Sequence, residues 1–128
     1  MSGLAEIVLD CRHAAPQAAF WAFALGWRVR AYDDAEIARL ASLGLTPDTD
    51  PSVALDAPNG SLVMFCTEVP ESKVVKNRMH LDVRLRDRTH FVEVCSRGAT
   101  AVRAAADRIV MADPEGNEFC AIGDWIGQ

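Results

Sequence analysis

Long apolar runs are missing from this 128-residue sequence. No stretch approaches the roughly 20 consecutive apolar residues that a membrane-spanning helix requires, so no membrane partner is expected. Basic residues are also not gathered: the net charge is −5, and the one basic cluster, Lys73 to Arg78, is too short for an interaction tail. Phosphate recognition draws on a concentrated basic face, so no nucleic-acid partner is expected. The four cysteines, Cys11, Cys66, Cys95 and Cys120, form no Cys-x-x-Cys pair. They read as reduced, buried thiols, and Cys95, within the apolar pattern of the second helix, is assigned no chemistry. Met1-Ser2-Gly3-Leu4 runs directly toward a strand instead of a charged leader with an apolar stretch, which makes a cytoplasmic location the expectation.

What is present is half hydrophobic by composition, enough for one compact domain with a real core. Its most informative feature is a repeat. Leu9-Asp10-Cys11-Arg12 and Leu81-Asp82-Val83-Arg84 share three of four residues, and Leu81 follows Leu9 by 72 residues, as Gly98 follows Gly26. Each string reads as a strand leading into a helix that stops at the glycine. The first half is predicted as a strand over 5–11, a helix over 14–25, and a strand over 27–32. A short helix capped by Asp33-Asp34 then runs through Leu43, followed by strands over 52–55 and 61–67 around the turn Ala57-Pro58-Asn59-Gly60. The second half repeats the order: strand 78–85, helix 87–97, and strands near 100–105, 108–112 and 118–122, with Asp113-Pro114-Glu115-Gly116 as a turn. A duplicated module follows, with module one at about 4–68, a linker at about 69–77 and module two at about 78–123.

Strand alternation sorts the side chains by face. Ile7, Leu9 and Cys11 share one face, as do Met79, Leu81, Val83 and Leu85; these apolar faces should meet the helices. The opposite face carries Glu6, Val8 and Asp10, and His80, Asp82 and Arg84. Ionisable groups gathered on the concave side of a sheet need water, a ligand or a partner, which marks this face as the candidate site. Trp21 and Trp27 fall at apolar positions and read as core, whereas His13 and His90 read as surface residues. Trp125, near the C-terminus, could cap a cavity, pack on a partner or fray.

Four tracts carry a family resemblance: Ile7-Val8-Leu9-Asp10-Cys11, Phe20-Trp21 with Leu25-Gly26-Trp27, Val75 through Asp82, and Asp113-Pro114-Glu115-Gly116-Asn117-Glu118-Phe119-Cys120. In this order they resemble the glyoxalase-like branch of the vicinal oxygen chelate superfamily, alongside glyoxalase I, extradiol dioxygenases and bleomycin-resistance proteins. The resemblance implies an α+β fold of two tandem βαβββ modules forming a curved, half-open barrel sheet with helices outside, a small-molecule cavity between modules, and a homodimer. Metal-dependent relatives hold a divalent ion with one ligand on the first and one on the last strand of each module. Carried over, Glu6 and His80 fall at first-strand positions. Cys120 stands where those relatives have Glu, and Cys66 or Thr67 occupies the matching region of module one. Two of four expected ligands are lacking. The cofactor expectation is therefore none, or a single divalent metal held by His80, Glu6, Cys66 and Cys120, a mixed set best suited to zinc.

The expected function is binding of a small organic molecule between the modules, extending to a lyase or isomerase acting next to a carbonyl. His80 and Glu6 would serve as acid and base. Asp10, Asp82 and Arg84, the linker residues Lys76 and Arg78, and Trp125 are the expected substrate-binding groups. The alternative is a non-catalytic metabolite- or drug-binding protein of the sequestration type, without metal.

Overall fold

Each half of the repeat folds around its own four-stranded mixed sheet in the computed structural model, which describes residues 2–128. Met1, read with the run-in to the first strand, lies outside the described residues. The first sheet contains β1 (Ile7–Cys11), β2 (Arg28–Val29), β3 (Ser52–Asp56) and β4 (Val63–Glu68) in the order β1-β4-β3-β2. The second contains β5 (Asp82–Arg84), β6 (Thr100–Ala104), β7 (Arg108–Ala112) and β8 (Glu118–Ile122) in the order β5-β8-β7-β6. In both, the first strand runs parallel to the last and the remaining pairs are antiparallel. The fold is thus α+β with two tandem modules of one topology. The sheets do not close into a barrel; they remain two separate hydrogen-bonded layers.

Helix α1 (Ala14–Leu25) follows β1, and α3 (Arg88–Ser96) follows β5. Gly26 ends α1 in the left-handed region at φ 69°, returning N–H groups to the last turn where a side chain with a Cβ would be strained. The extra helix α2 (Asp34–Ser42) lies between β2 and β3, has no counterpart in the second half, and buries only Leu40. Its N-cap Asp33 accepts from the Glu36 N–H, and Asp87 caps α3 in the same way through the His90 N–H.

The expected alternation is realised on β1 and β5. Cys11, Val83 and Leu85 are buried, and Ile7, Leu9 and Leu81 pack against the core, whereas Glu6, Val8, Asp10, His80, Asp82 and Arg84 are exposed. Helix α1 is apolar on nearly every side because it serves both modules. Phe20 and Trp21 meet edge to face, with ring centroids 5.5 Å apart, and Trp21 reaches Phe119 of the second sheet at 5.0 Å.

Two strands are shorter than the sequence suggests. The strand expected over 27–32 has ladder pairing only at Arg28 and Val29. The Arg30 N–H still reaches the Ala54 carbonyl, but Tyr32 has turned to donate its hydroxyl to Asp50 at 2.7 Å. The strand expected over 78–85 is confined to Asp82–Arg84, because Asn77 is tied to Glu118 before pairing begins. Met79, assigned to the helix-facing side, therefore precedes the strand and is 79% exposed.

His90 is a second correction. Read as a surface residue, it is buried because its face of α3 turns toward α1, where its ring meets the Phe23 edge at 5.7 Å. Its Nδ1 accepts from the Arg86 N–H, which places the ring proton on Nε2. That nitrogen is the one buried side-chain polar atom without a hydrogen-bond partner among the described residues.

Candidate small-molecule site

The two modules are clamped together at the Asp113 turn. Asp113 is 3% exposed, and its Oδ2 accepts from Gln17 Nε2 at 2.6 Å and from Trp21 Nε1 at 3.0 Å. Its Oδ1 accepts the backbone N–H groups of Glu115 and Asn117, so one carboxylate shapes its own turn and binds α1 of the other module. Glu115, in the same turn, accepts from the backbone N–H groups of Arg12 and His13 at 2.7 and 3.1 Å. The neighbouring Glu68 accepts from the Ala14 N–H. His13, the N-cap of α1, makes no side-chain cap. Two carboxylates from other elements take over that task, favoured by the positive end of the helix dipole.

Beside this clamp, where β1 approaches the linker and β8, lies a slot of about 210 Å³. Ile7, Leu9 and Trp21 of the first module face Leu81 and Phe119 of the second across it. Asn77, Asn117 and Glu118 give it a polar end. Asn77 Oδ1 accepts from the Glu118 N–H at 3.1 Å, and Glu118 in turn accepts from the Asn77 N–H and from Lys76 Nζ at 3.3 Å. The hydrogen bond from Lys76 holds the Glu118 carboxyl below the usual carboxylate range.

The residues singled out from sequence are distributed differently. Asp10 of β1 and Asp82 and Arg84 of β5 are exposed strand residues, whereas Glu6 and His80 are exposed just before those strands begin, and the slot opens beside Ile7, Val8 and Leu9 of β1. Asp82 meets Arg108 at 3.6 Å, an exposed pair of small energetic weight. Lys76 reaches the slot through Glu118, while Arg78 is exposed on the linker. Trp125 donates its indole N–H to the Leu85 carbonyl at 2.8 Å and packs on Phe91 of α3, with Arg88 stacked over it.

The two cysteines of the proposed ligand set point to opposite sides of their sheets. Cys66 pairs with Leu9 and Val53 on the helix-facing side, where it is wholly buried. Cys120 pairs with Asp82 and Val110 on the outer face. Burial pushes the Cys66 thiol up to about 12. Among the described residues, no group of three or more His, Cys, Asp or Glu side chains is placed to hold a metal ion. The residues present do not fit the metal centre of the metal-dependent relatives.

Sequence reasoning did not single out the slot's walls, because Ile7, Leu9, Trp21, Leu81 and Phe119 carry the same apolar signal as any core residue. Glu118 had one usable signal, a carboxylate within an otherwise apolar strand.

Two modules of one topology joined by a helix-borne clamp, with a slot at their seam, define the class of fold. The glyoxalase-like domain model matches residues 6–122, and the chain belongs to that family and with it to the vicinal oxygen chelate superfamily. Solved structures agree on the fold. A glyoxalase/bleomycin resistance protein/dioxygenase family enzyme from Burkholderia phytofirmans is 16% identical, with 94% of this chain and 97% of that chain covered and a TM-score of 0.62. A possible glyoxalase from Bacillus cereus is 11% identical, with 96% and 100% covered and a TM-score of 0.61. A mutant of the fosfomycin resistance protein FosX from Listeria monocytogenes, complexed with Mn(II) and 1S,2S-dihydroxypropylphosphonic acid, is 15% identical, with 96% and 93% covered and a TM-score of 0.64. No curated protein matches the chain by sequence. Among the described residues, no helix is long and apolar enough to cross a membrane.

Proposed function

We propose that this domain binds a small organic molecule in the slot between its modules, without catalysing its conversion. The observation that carries this is the slot itself: apolar walls drawn from both modules, closed at one end by Asn77, Asn117 and Glu118. Such a lining suits a molecule with an apolar body and one hydrogen-bonding group. Glu118, which Lys76 holds ionised, is a weak base, and this favours binding over the lyase or isomerase reading.

Protein-detected NMR with a panel of small apolar amides and alcohols, followed at the Trp21 indole N–H, tests the proposal. Binding should move that resonance and disappear in Leu81→Phe, which fills the slot. Binding unaffected by Leu81→Phe would refute it. The enzymatic alternative rests on His80. A carbonyl lyase or isomerase using it should lose orders of magnitude in kcat in His80→Ala, with little change in binding.

We also propose a homodimer. β1 and β5 are edge strands of their sheets, and the exposed Val8 and Met79 beside those edges also line the slot, so a second copy covering them would close the slot's mouth. Light scattering that reports a monomer at micromolar concentration would exclude it.

A further inference from the structure

Two asparagines at the polar end of the seam slot each keep one hydrogen-bonding group free. Asn77 Oδ1 accepts from the Glu118 N–H at 3.1 Å, so the other end of that amide is its NH2 group. Among the described residues, Asn77 Nδ2 donates to no partner; the residue's other bond is made by its backbone N–H. Asn117 is oriented the opposite way. Its Nδ2 donates to both oxygens of Asp113, at 3.3 and 3.0 Å, and its Oδ1 accepts from no partner among the described residues. Neither amide can be flipped, since a backbone N–H only donates and a carboxylate only accepts.

Both residues are half-buried and line the slot. They also belong together, because Asn77 is held by Glu118, the residue that follows Asn117. The slot's polar end therefore offers one neutral donor and one neutral acceptor.

The charged groups around this end are already engaged. Glu118 accepts from Lys76 Nζ at 3.3 Å and from the Asn77 N–H at 3.4 Å, with Lys73 at 4.0 Å. Asp113 accepts from Gln17, Trp21 and its own turn. An anionic ligand would face both carboxylates, and a cationic one would face both lysines. A neutral ligand leaves these pairs intact.

We infer that the seam slot selects a neutral amide whose C=O and N–H lie on the same edge: a primary carboxamide or a lactam on an apolar body. This rests on the slot being the binding site. The ligand carbonyl accepts from Asn77 Nδ2, its N–H donates to Asn117 Oδ1, and Trp21, Leu81 and Phe119 hold the body. Ketones and esters answer only the donor and leave the Asn117 carbonyl unmet. A secondary amide in its trans form carries both groups on opposite edges, so it meets one asparagine at a time.

Isothermal titration calorimetry with benzamide, N-methylbenzamide, N,N-dimethylbenzamide and benzoate tests the assignment. Benzamide should bind saturably, and about tenfold or more tighter than the other three, the worth of one hydrogen bond. Asn77→Asp keeps an oxygen for the Glu118 N–H and replaces the free donor by a second acceptor. It should weaken benzamide binding and create binding of benzamidinium, which presents two N–H donors on one edge. A gain of binding cannot come from a damaged fold. If circular dichroism shows that Asn77→Asp is unfolded, the ranking of the four compounds on the parent protein decides alone. Absence of saturable benzamide binding, equal or tighter binding of any of the other three, or unchanged preference for benzamide over benzamidinium in a folded Asn77→Asp would each overturn the amide assignment. The slot itself would survive that result if benzyl alcohol bound and lost its binding in Leu81→Phe. Benzamide binding untouched by Leu81→Phe would overturn both.

Discussion

The Trp21 indole nitrogen donates to the Asp113 carboxylate at 3.0 Å, across 92 residues of sequence and from one module to the other. Gln17 Nε2 joins it on the same oxygen. The bond joins a helix of the first half to a turn of the second inside the core, where water cannot replace a lost partner. Asp113→Ala should therefore leave two buried donors unpaired and also release the turn. We expect a loss of about 3–5 kcal/mol in urea unfolding, and Asp113→Asn should lose roughly 1–3 kcal/mol because one amide N–H then faces a donor. A loss below about 1 kcal/mol for Asp113→Ala would show that the clamp is not structural.

Glu115 stands in for a missing cap. Since His13 provides no side-chain cap, Glu115→Ala should free the Arg12 and His13 N–H groups and cost about 1–2 kcal/mol. Pairing it with Glu68→Ala in a double-mutant cycle should give a non-zero coupling, because both carboxylates act on one helix terminus. Strict additivity would mean that they cap independently.

Alkali should act on the buried thiols. Burial raises the Cys66 thiol from 9.0 to about 12, and burial followed by Glu115 and Glu68 raises Cys11 to about 12. The folded state therefore holds its thiol protons where the unfolded chain has lost them. This contribution is fully present below pH about 9 and is lost as pH rises toward about 12, at up to roughly 1.4 kcal/mol per pH unit for Cys66 in that window. Cys66→Ala should flatten the decline in unfolding free energy between pH 9 and 11. A decline as steep as that of the parent protein would remove Cys66 as its source.

Acid should act on the linker. Lys76 holds the Glu118 carboxyl below its ordinary range, so the stability that it contributes is present above the usual glutamate pKa and lost as pH falls through the lowered one. The Asn77 amide proton should exchange faster below that pH, and Lys76→Met should move the onset upward. An onset at the same pH in both proteins would mean that Lys76 does not hold the carboxyl ionised.

The scaffold was legible because its signals are local. Period-two alternation in Ile7-Val8-Leu9-Asp10-Cys11, Gly26 after an apolar helix, and Asp33 and Asp87 before helical runs each depend on backbone geometry within a few residues, and each element formed where they stand. The misses came where distant residues intervened. His90 looks like a surface helix residue until Phe23 is brought against it, and Met79 keeps its strand parity on paper but precedes the point where β5 begins.

The site was less legible for the same reason. His80, Glu6, Asp82 and Arg84 stand out as polar letters in apolar strands, and parity puts them on one face, but parity does not say whether that face is enclosed. The slot is lined instead by residues indistinguishable from core, and its polar end depends on Asn77 and Asn117, whose amides are oriented by Glu118 and Asp113. By itself the sequence determined two modules of one topology, the parity of the residues that β1 and β5 contain, and the caps of the helices, since these follow from local periodicity and φ/ψ preference. Only the tertiary structure decided that Asp113 would clamp α1, that Cys66 and Cys120 would turn to opposite sides, and that a slot would open at the seam. Those outcomes depend on which distant surfaces meet, and burial, charge balance and available hydrogen-bond partners are settled only when they do.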